Sequence, residues 1–355
     1  MLSPIRKIPI FKLLFGLVLP LLFLVFIFLC SRIPSLAEWY MQNVYPAVAT
    51  LLSGFSRLFP FSVLDILILS AIMIFAGSLV FIIIYRISFL RWLKVFVICI
   101  AWVISWFYLA WGISYFRPDF HKRFGVEAVK EDQAFFEDFV IQHISRLNDS
   151  YVTVDRFDAD EIDRAVEETY HEYYHELQIP YPCGTRRTKF TAMEGLMTGM
   201  GVAGFFDPFF NEVQVNNFLL PASYPFTLAH EKAHQFGIAS ESECNLYASI
   251  ICTSSRHPLV RYSGHMQTVS YLLGSLRRIS PDEYARIFAL IDPRIIADYK
   301  LIQDHWQKAI QPQLSEIQDK VYDSYLKTNK QQSGIRSYSE MVGLLLAWEQ
   351  LKTEK

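Results

Sequence analysis

Three uncharged apolar runs, residues 13–30, 66–85 and 95–116, constrain this chain more than any other feature. A bilayer crossing takes roughly 20 apolar residues, so the runs predict three transmembrane helices within residues 1–116. The first run exceeds a signal-peptide core of about 7–15 residues, and no small-x-small cleavage pattern follows it. Ile27-Phe28-Leu29 before Cys30 is also too bulky for a lipoprotein signal. Residues 33–59, aromatic-rich and carrying Pro34, Pro46 and Gly54, read as helices lying at the membrane interface or packing on the domain.

Basic residues set the expected orientation. Arg6, Lys7 and Lys12 precede the first run, and Arg86, Arg91 and Lys94 lie between the second and third. The longer loop between the first and second runs has only Arg32 and Arg57. The positive-inside bias then puts the N-terminus inside and everything after residue 116 outside the cytoplasm, although Arg117, Lys122 and Arg123 pull the other way. A net charge of -2 with no basic run gives no sign of nucleic-acid binding. Cys183, Cys244 and Cys252, an odd number beyond the spans, force no disulfide framework.

The chemistry concentrates at His230-Glu231-Lys232-Ala233-His234, followed by Gln235-Phe236-Gly237 and then by Glu241-Ser242-Glu243-Cys244-Asn245. On a helix the two histidines lie one turn apart on one face and can share one zinc ion, while Glu231 can reach a metal-bound water as general base. That is the core of a zinc hydrolase. It is usually completed by a third protein ligand, with the fourth position left for water. Glu241 is the expected third ligand, with Asn245 one turn on as a polar partner for a ligand histidine. Glu243 is the alternative, but Ser240 and Glu243 also read as a capping box. Gly237 supplies the reversal between the two helices or an ordinary helix cap. Cys244 reads as a core thiol with a thiol ligand as its alternative. A second copy of the pattern, His171-Glu172-Tyr173-Tyr174-His175, has its histidines on the polar side of an apolar stripe made by Ile162, Val166, Tyr173 and Leu177. It is read as a solvated helix face.

Residues 117–355 read as one mostly helical domain, with helices over 132–146, 158–177, 281–291, 295–325 and 337–349. Strands are expected only at 189–192 and 212–216, separated by a glycine-bearing segment. The strand at 212–216 is placed to hold a substrate backbone by strand addition, or is simply structural. A polar cluster from His257 to His265 precedes another helix, and Tyr262 and His265 are candidate oxyanion stabilisers.

The chain resembles a family of bacterial membrane proteins, domain of unknown function 3810. The likeness rests on the segment from Trp111 to Pro118, on Asp207-Pro208-Phe209-Phe210-Asn211-Glu212-Val213-Gln214-Val215-Asn216, on Pro225 to Glu231, on His234-Gln235-Phe236-Gly237 and on Arg261-Tyr262-Ser263-Gly264. From Glu241 to Asn245 it is also similar to the glutamate zincins, departing by Cys244 where an alanine is usual and by a short link between the two metal elements. The resemblance implies a mainly α membrane protein of the bacterial inner membrane, with a zincin-like α+β domain holding one Zn2+. The expected activity is a membrane-anchored metallopeptidase. An amidase acting on cell-envelope material and a non-catalytic metal-binding protein are the alternatives.

Overall fold

The computed structural model describes residues 10–127, 132–153, 155–329 and 338–353; the basic residues Arg6 and Lys7 lie outside them. Helix α1 (Ile10–Arg32) turns by 114° at Ile33 into α2 (Pro34–Asn43), which is followed by α3 (Tyr45–Ser56). Helices α4 (Val63–Tyr85) and α5 (Phe89–Ala110) touch through Phe75, Ser78, Trp92 and Phe96. Both are long and apolar enough to cross a bilayer, and the bent α1–α2 pair adds a third crossing if it counts as one span. Few of their side chains are buried, as expected of surfaces that face lipid. These features are consistent with a membrane protein.

The third helix starts and ends about six residues earlier than the apolar run suggests. Residues 111–116 belong to a short 3-10 turn, Gly112–Phe116, and to Trp111, which are buried against the domain. Then come α6 (Phe120–Phe124), α7 (Gln133–Asp149), α8 (Ala159–Tyr173), α9 (Glu194–Met200), β1 (Gly204–Asp207) and β2 (Glu212–Val215). The remainder is helical: α10 (Tyr224–Gln235), α11 (Glu241–Ser254), α12 (Pro258–Ile279), α13 (Pro281–Phe288), α14 (Pro293–Ala309), α15 (Pro312–Thr328) and α16 (Tyr338–Thr353).

Helices α10, α11 and α12 form the centre of the domain core, with α7, α8 and α16 packed around them. Gly264 lets α11 and α12 approach closely, since a Cβ there would lie 2.5 Å from the Cβ of Cys252. The expected single helix over 295–325 is broken at Ile310 and Gln311. Pro312 has no N–H to continue the α14 ladder and clashes with the preceding turn, and Gln311 N–H instead bonds the Gly199 carbonyl at 2.8 Å.

The expected strand at 189–192 is reduced to a single parallel bridge, Lys189 to Gln214. The partner of β2 is instead β1, drawn from the glycine-bearing segment, in the antiparallel register Gly204 to Val215. Since β2 has Lys189 on one side and β1 on the other, the open edge of this small sheet is β1 and not residues 212–216.

The membrane-side helices are locked to the domain by buried polar groups. The Glu212 carboxylate accepts from Ser56 Oγ (2.7 Å) and from the Val63 N–H at the start of α4 (3.1 Å), and it pairs with the buried ammonium of Lys189. Asp65, in the first turn of α4, accepts from the Ala192 N–H at 2.7 Å and from Thr191 Oγ1 at 3.0 Å. An acidic group at a helix N-terminus complements the unsatisfied N–H groups there.

Candidate metal centre

Pro225 lies in the first turn of α10, where its missing N–H costs nothing. The helix ends at Gly237, whose φ of +84° is the left-handed conformation that closes a helix. A Cβ at Gly237 would also lie 2.7 Å from Met41 Cε and 3.0 Å from the Tyr45 ring. His234 O accepts the Gly237 N–H at 2.9 Å, and the carbonyls at this end of α10 take further donors from residues 45, 111 and 117. Trp111 Nε1 donates to His234 O and the Tyr45 hydroxyl to Gln235 O, each at 2.7 Å, while the Arg117 guanidinium donates to Gly237 O at 3.0 Å.

Three residues separate Gly237 from α11, and this tight turn folds α11 back along α10. His230, His234 and Glu241 are thereby brought together, with one ligand atom from each lying within 4.8 Å of the others. His230 Nε2 stands 3.2 Å from Glu241 Oε2, and His234 Nε2 3.4 Å from Oε1. Tetrahedral zinc ligands with bonds of about 2.0–2.1 Å stand roughly 3.3–3.4 Å apart. In donor type and in these two spacings the set is compatible with a zinc ion.

The far side of each imidazole supports the same fit. His230 Nδ1–H donates to Asn245 Oδ1 at 2.8 Å, and His234 Nδ1–H donates to the Ile238 carbonyl at 2.8 Å. Each bond fixes the tautomer that leaves a lone pair on Nε2, as metal-ligating histidines require. Asn245 is in turn held by the Tyr271 hydroxyl at 3.0 Å, and the Tyr322 hydroxyl donates to Glu241 Oε1. Cys244 lies 3.3 Å from His234 Nδ1, on the side of the ring away from Glu241. Burial pushes its thiol up to about 12, so it stays protonated beside the Ile238 carbonyl.

Glu231 is buried against β1, where Gly204 leaves room for it: a Cβ there would meet Glu231 Cγ at 3.0 Å and Oε1 at 3.1 Å. Burial pushes the Glu231 carboxyl above its ordinary range, with His230 and His234 opposing and Glu241 adding to the rise. Burial also acts to raise Glu241, but the two imidazoles outweigh it and hold that carboxyl well below the usual range. The group opens on a cavity of about 630 Å³ bounded by Trp111, Gly204, Phe206, Tyr271, Trp306 and Tyr322, among others.

The other expected site residues lie elsewhere. Glu243 forms an ion pair with Arg123 at 2.5 Å, both side chains buried. Half of the expected capping box exists, since Ser240 Oγ accepts the Glu243 N–H at 3.4 Å, but the Glu243 carboxylate has turned to Arg123. Tyr262 and His265 do not reach the cavity. The segment expected as a polar cluster ahead of a helix is the first half of α12 itself, and the Tyr262 hydroxyl donates to Asp298 at 2.6 Å. At 100° per residue, Tyr262 is about 180° round α12 from Tyr271, the tyrosine that does line the cavity. His171 and His175 are exposed as expected, but the helix expected over 158–177 ends at Tyr173, so His171 is in its last turn and His175 in the turn beyond it. Trp111, Tyr271 and Tyr322 belong to no sequence motif, because only the packing of α12, α15 and the residue after α5 brings them to α10 and α11.

Fold and site together define a mostly helical chain with apolar helices of membrane-spanning length and a partly buried His–His–Glu cluster beside a two-stranded sheet. The family described as a protein of unknown function, DUF3810, matches residues 40–346, and the chain belongs to it. The match takes in α3, the α4–α5 pair and the whole cluster. No curated protein and no solved structure gives a significant match.

Proposed function

We propose that the chain is a membrane-anchored zinc hydrolase of the metallopeptidase type, with its metal held by His230, His234 and Glu241 and with Glu231 as general base. The observation that carries this reading is the spacing of the two Nε2 atoms around the Glu241 carboxylate, 3.2 and 3.4 Å, with both Nδ1 atoms engaged by acceptors behind them. When bound, zinc supplies Lewis-acid polarisation of a substrate carbonyl and acidification of water. Asn245 and Ile238 orient the two imidazoles, and Tyr271 holds Asn245. Glu231, on the cavity wall next to β1, takes a proton from attacking water and returns it to the departing amine.

A peptide substrate is favoured over other acyl compounds by the β1 edge. Asn216 N–H bonds Ala203 O at 2.9 Å, so along the antiparallel register residues 203, 205 and 207 point their backbone groups at β2. Gly204 and Phe206 then point theirs the opposite way, on a stretch that lines the cavity. An extended peptide can add there as a further strand and bring its carbonyl alongside Glu231. Purified full-length protein should hold one zinc per chain, and Glu231→Gln should keep the zinc while abolishing hydrolysis. Full complementation of a deletion strain by Glu231→Gln would leave only a metal-binding role.

A further inference from the structure

We infer that the substrates are polypeptides tethered to the membrane and are cut within a few residues of their anchor; this rests on the hydrolase reading above and on the apolar helices crossing the bilayer. Arg91 and Lys94 keep the first turns of α5 out of the hydrocarbon, and its apolar part from Val95 to Ala110 runs about 24 Å at 1.5 Å per residue, less than a hydrocarbon core of about 30 Å. Its last residue, Ala110, therefore lies no further out than the edge of that core. The next residue, Trp111, already touches the metal cluster: its indole donates to the His234 carbonyl, and its ring centroid is 6.1 Å from the imidazole. No stalk separates bilayer from site.

Two further observations place the cleft at the same level. The 114° turn between α1 and α2 lays α2 across the bilayer normal. Beyond it, Trp39 of α2, Leu51 and Phe55 of α3, and Leu58 and Phe61 in the turn after α3 are exposed, between 46% and 74%. Aromatic and apolar side chains on helices that run along the surface belong in the headgroup layer. The same two helices carry Met41 and Tyr45, which pack against Gly237 at the end of α10. The β1–β2 turn also rests on the end of α5, where Trp106 Nε1 donates to Phe209 O at 3.2 Å and the Phe107 and Phe209 rings lie 6.2 Å apart. The strand edge that would receive substrate therefore continues directly into a segment seated on a membrane helix.

Distance then limits what can be cut. From the hydrocarbon edge to the cluster is on the order of 10–15 Å, which an extended chain covers in about three to five residues at roughly 3.3 Å each. A tether of that length delivers the scissile bond and raises its local concentration, whereas an untethered soluble chain gains neither.

The test uses the full chain in phosphatidylethanolamine–phosphatidylglycerol vesicles and a mixed-sequence peptide library, with and without an N-terminal palmitoyl anchor. Cleavage of the anchored library should be at least tenfold faster, with cut sites clustered three to six residues from the acyl group. A second readout needs no turnover. In Glu231→Gln, a photo-reactive residue four positions from the anchor should crosslink to β1, and one fifteen positions away should not. Equal cleavage of both libraries, or cuts and crosslinks spread evenly along the peptide, would overturn the tether inference and leave the hydrolase standing. Absence of cleavage by zinc-loaded protein in either library would overturn the hydrolase reading, and the substrate inference with it.

Discussion

Glu241 and Glu243 are two residues apart on α11, and their surroundings give them opposite work. Glu241 faces both imidazoles, while Glu243 is buried against Arg123 and Tyr247. Glu241→Ala should abolish tight zinc binding and spare the fold. Glu243→Ala should keep the zinc but cost about 3–5 kcal/mol, because it leaves the Arg123 charge buried without its partner. Chelator competition and thermal unfolding of the two variants separate the roles, and pairing Glu243→Ala with Arg123→Met should recover much of the loss. Removal of the support behind His230, by Asn245→Ala, should weaken zinc about 10–100-fold with little change in unfolding temperature. Tyr271→Phe should act in the same direction and less, and equal zinc affinity in all three proteins would show that His230 needs no orienting partner. The two histidines, Glu231, Glu241 and Asn245 were legible in sequence because helical spacing fixes which side chains share a face. Tyr271 and Tyr322 were not, since their place depends on how distant helices pack.

Helix α8 shows how far a pattern carries at the scale of an element. The buried Ile162 and Val166 of its stripe and the exposed His171 were legible, but the same helix turns Asp163 and Glu167 toward the fully buried Lys232 of α10, at 2.7 Å each. Nothing in the spacing distinguishes those carboxylates from the solvated ones beside them. Burial pushes the Glu167 carboxyl up, but Lys232 and Arg186 outweigh it and hold it at about 2. Its folded pKa is thus below its unfolded value near 4.5, so its stabilisation is present above pH 4.5 and is lost as pH falls toward 2. Unfolding temperature should drop between pH 6 and pH 3 by the equivalent of about 2–3 kcal/mol, and Glu167→Gln should flatten that dependence. The α11–α12 contact offers a sharper case. Gly264→Ala would set a Cβ 2.7 Å from the Thr253 backbone nitrogen and 2.5 Å from Cys252 Cβ, and a helix backbone cannot yield. A loss of about 1–3 kcal/mol or more is expected, read as a lower unfolding temperature. Gly274→Ala on the same helix, with nothing within 4 Å, should be neutral or slightly stabilising.

For the whole molecule, composition alone drew a boundary at residue 116, with lipid-facing helices before it and a domain after it. Hydropathy can find the runs but cannot report that residues 34–59 and 111–116 close the base of the metal helix. One buried cluster joins Met41, Tyr45, Trp111 and Ile113 to Ala239. A fragment of residues 117–355 would leave Gln235 O without its Tyr45 donor, at about 1–3 kcal/mol for a buried group left unpaired, and would reduce His234 O to its bond from the Gly237 N–H. It would also expose the apolar surface covered by Met41, Tyr45 and Trp111, at roughly 1.5–3 kcal/mol per large side chain. Glu212 and Lys189 would lose Ser56 and the start of α4, leaving a buried charge pair with fewer partners. These losses together rival the whole stability of a typical domain, about 5–15 kcal/mol. The fragment should therefore fail to fold or to retain zinc even in detergent, whereas the full chain does both. Circular dichroism and metal content of the two proteins, purified side by side, decide the matter: a folded fragment binding zinc as tightly as the full chain would show that the membrane-side helices anchor the site without building it.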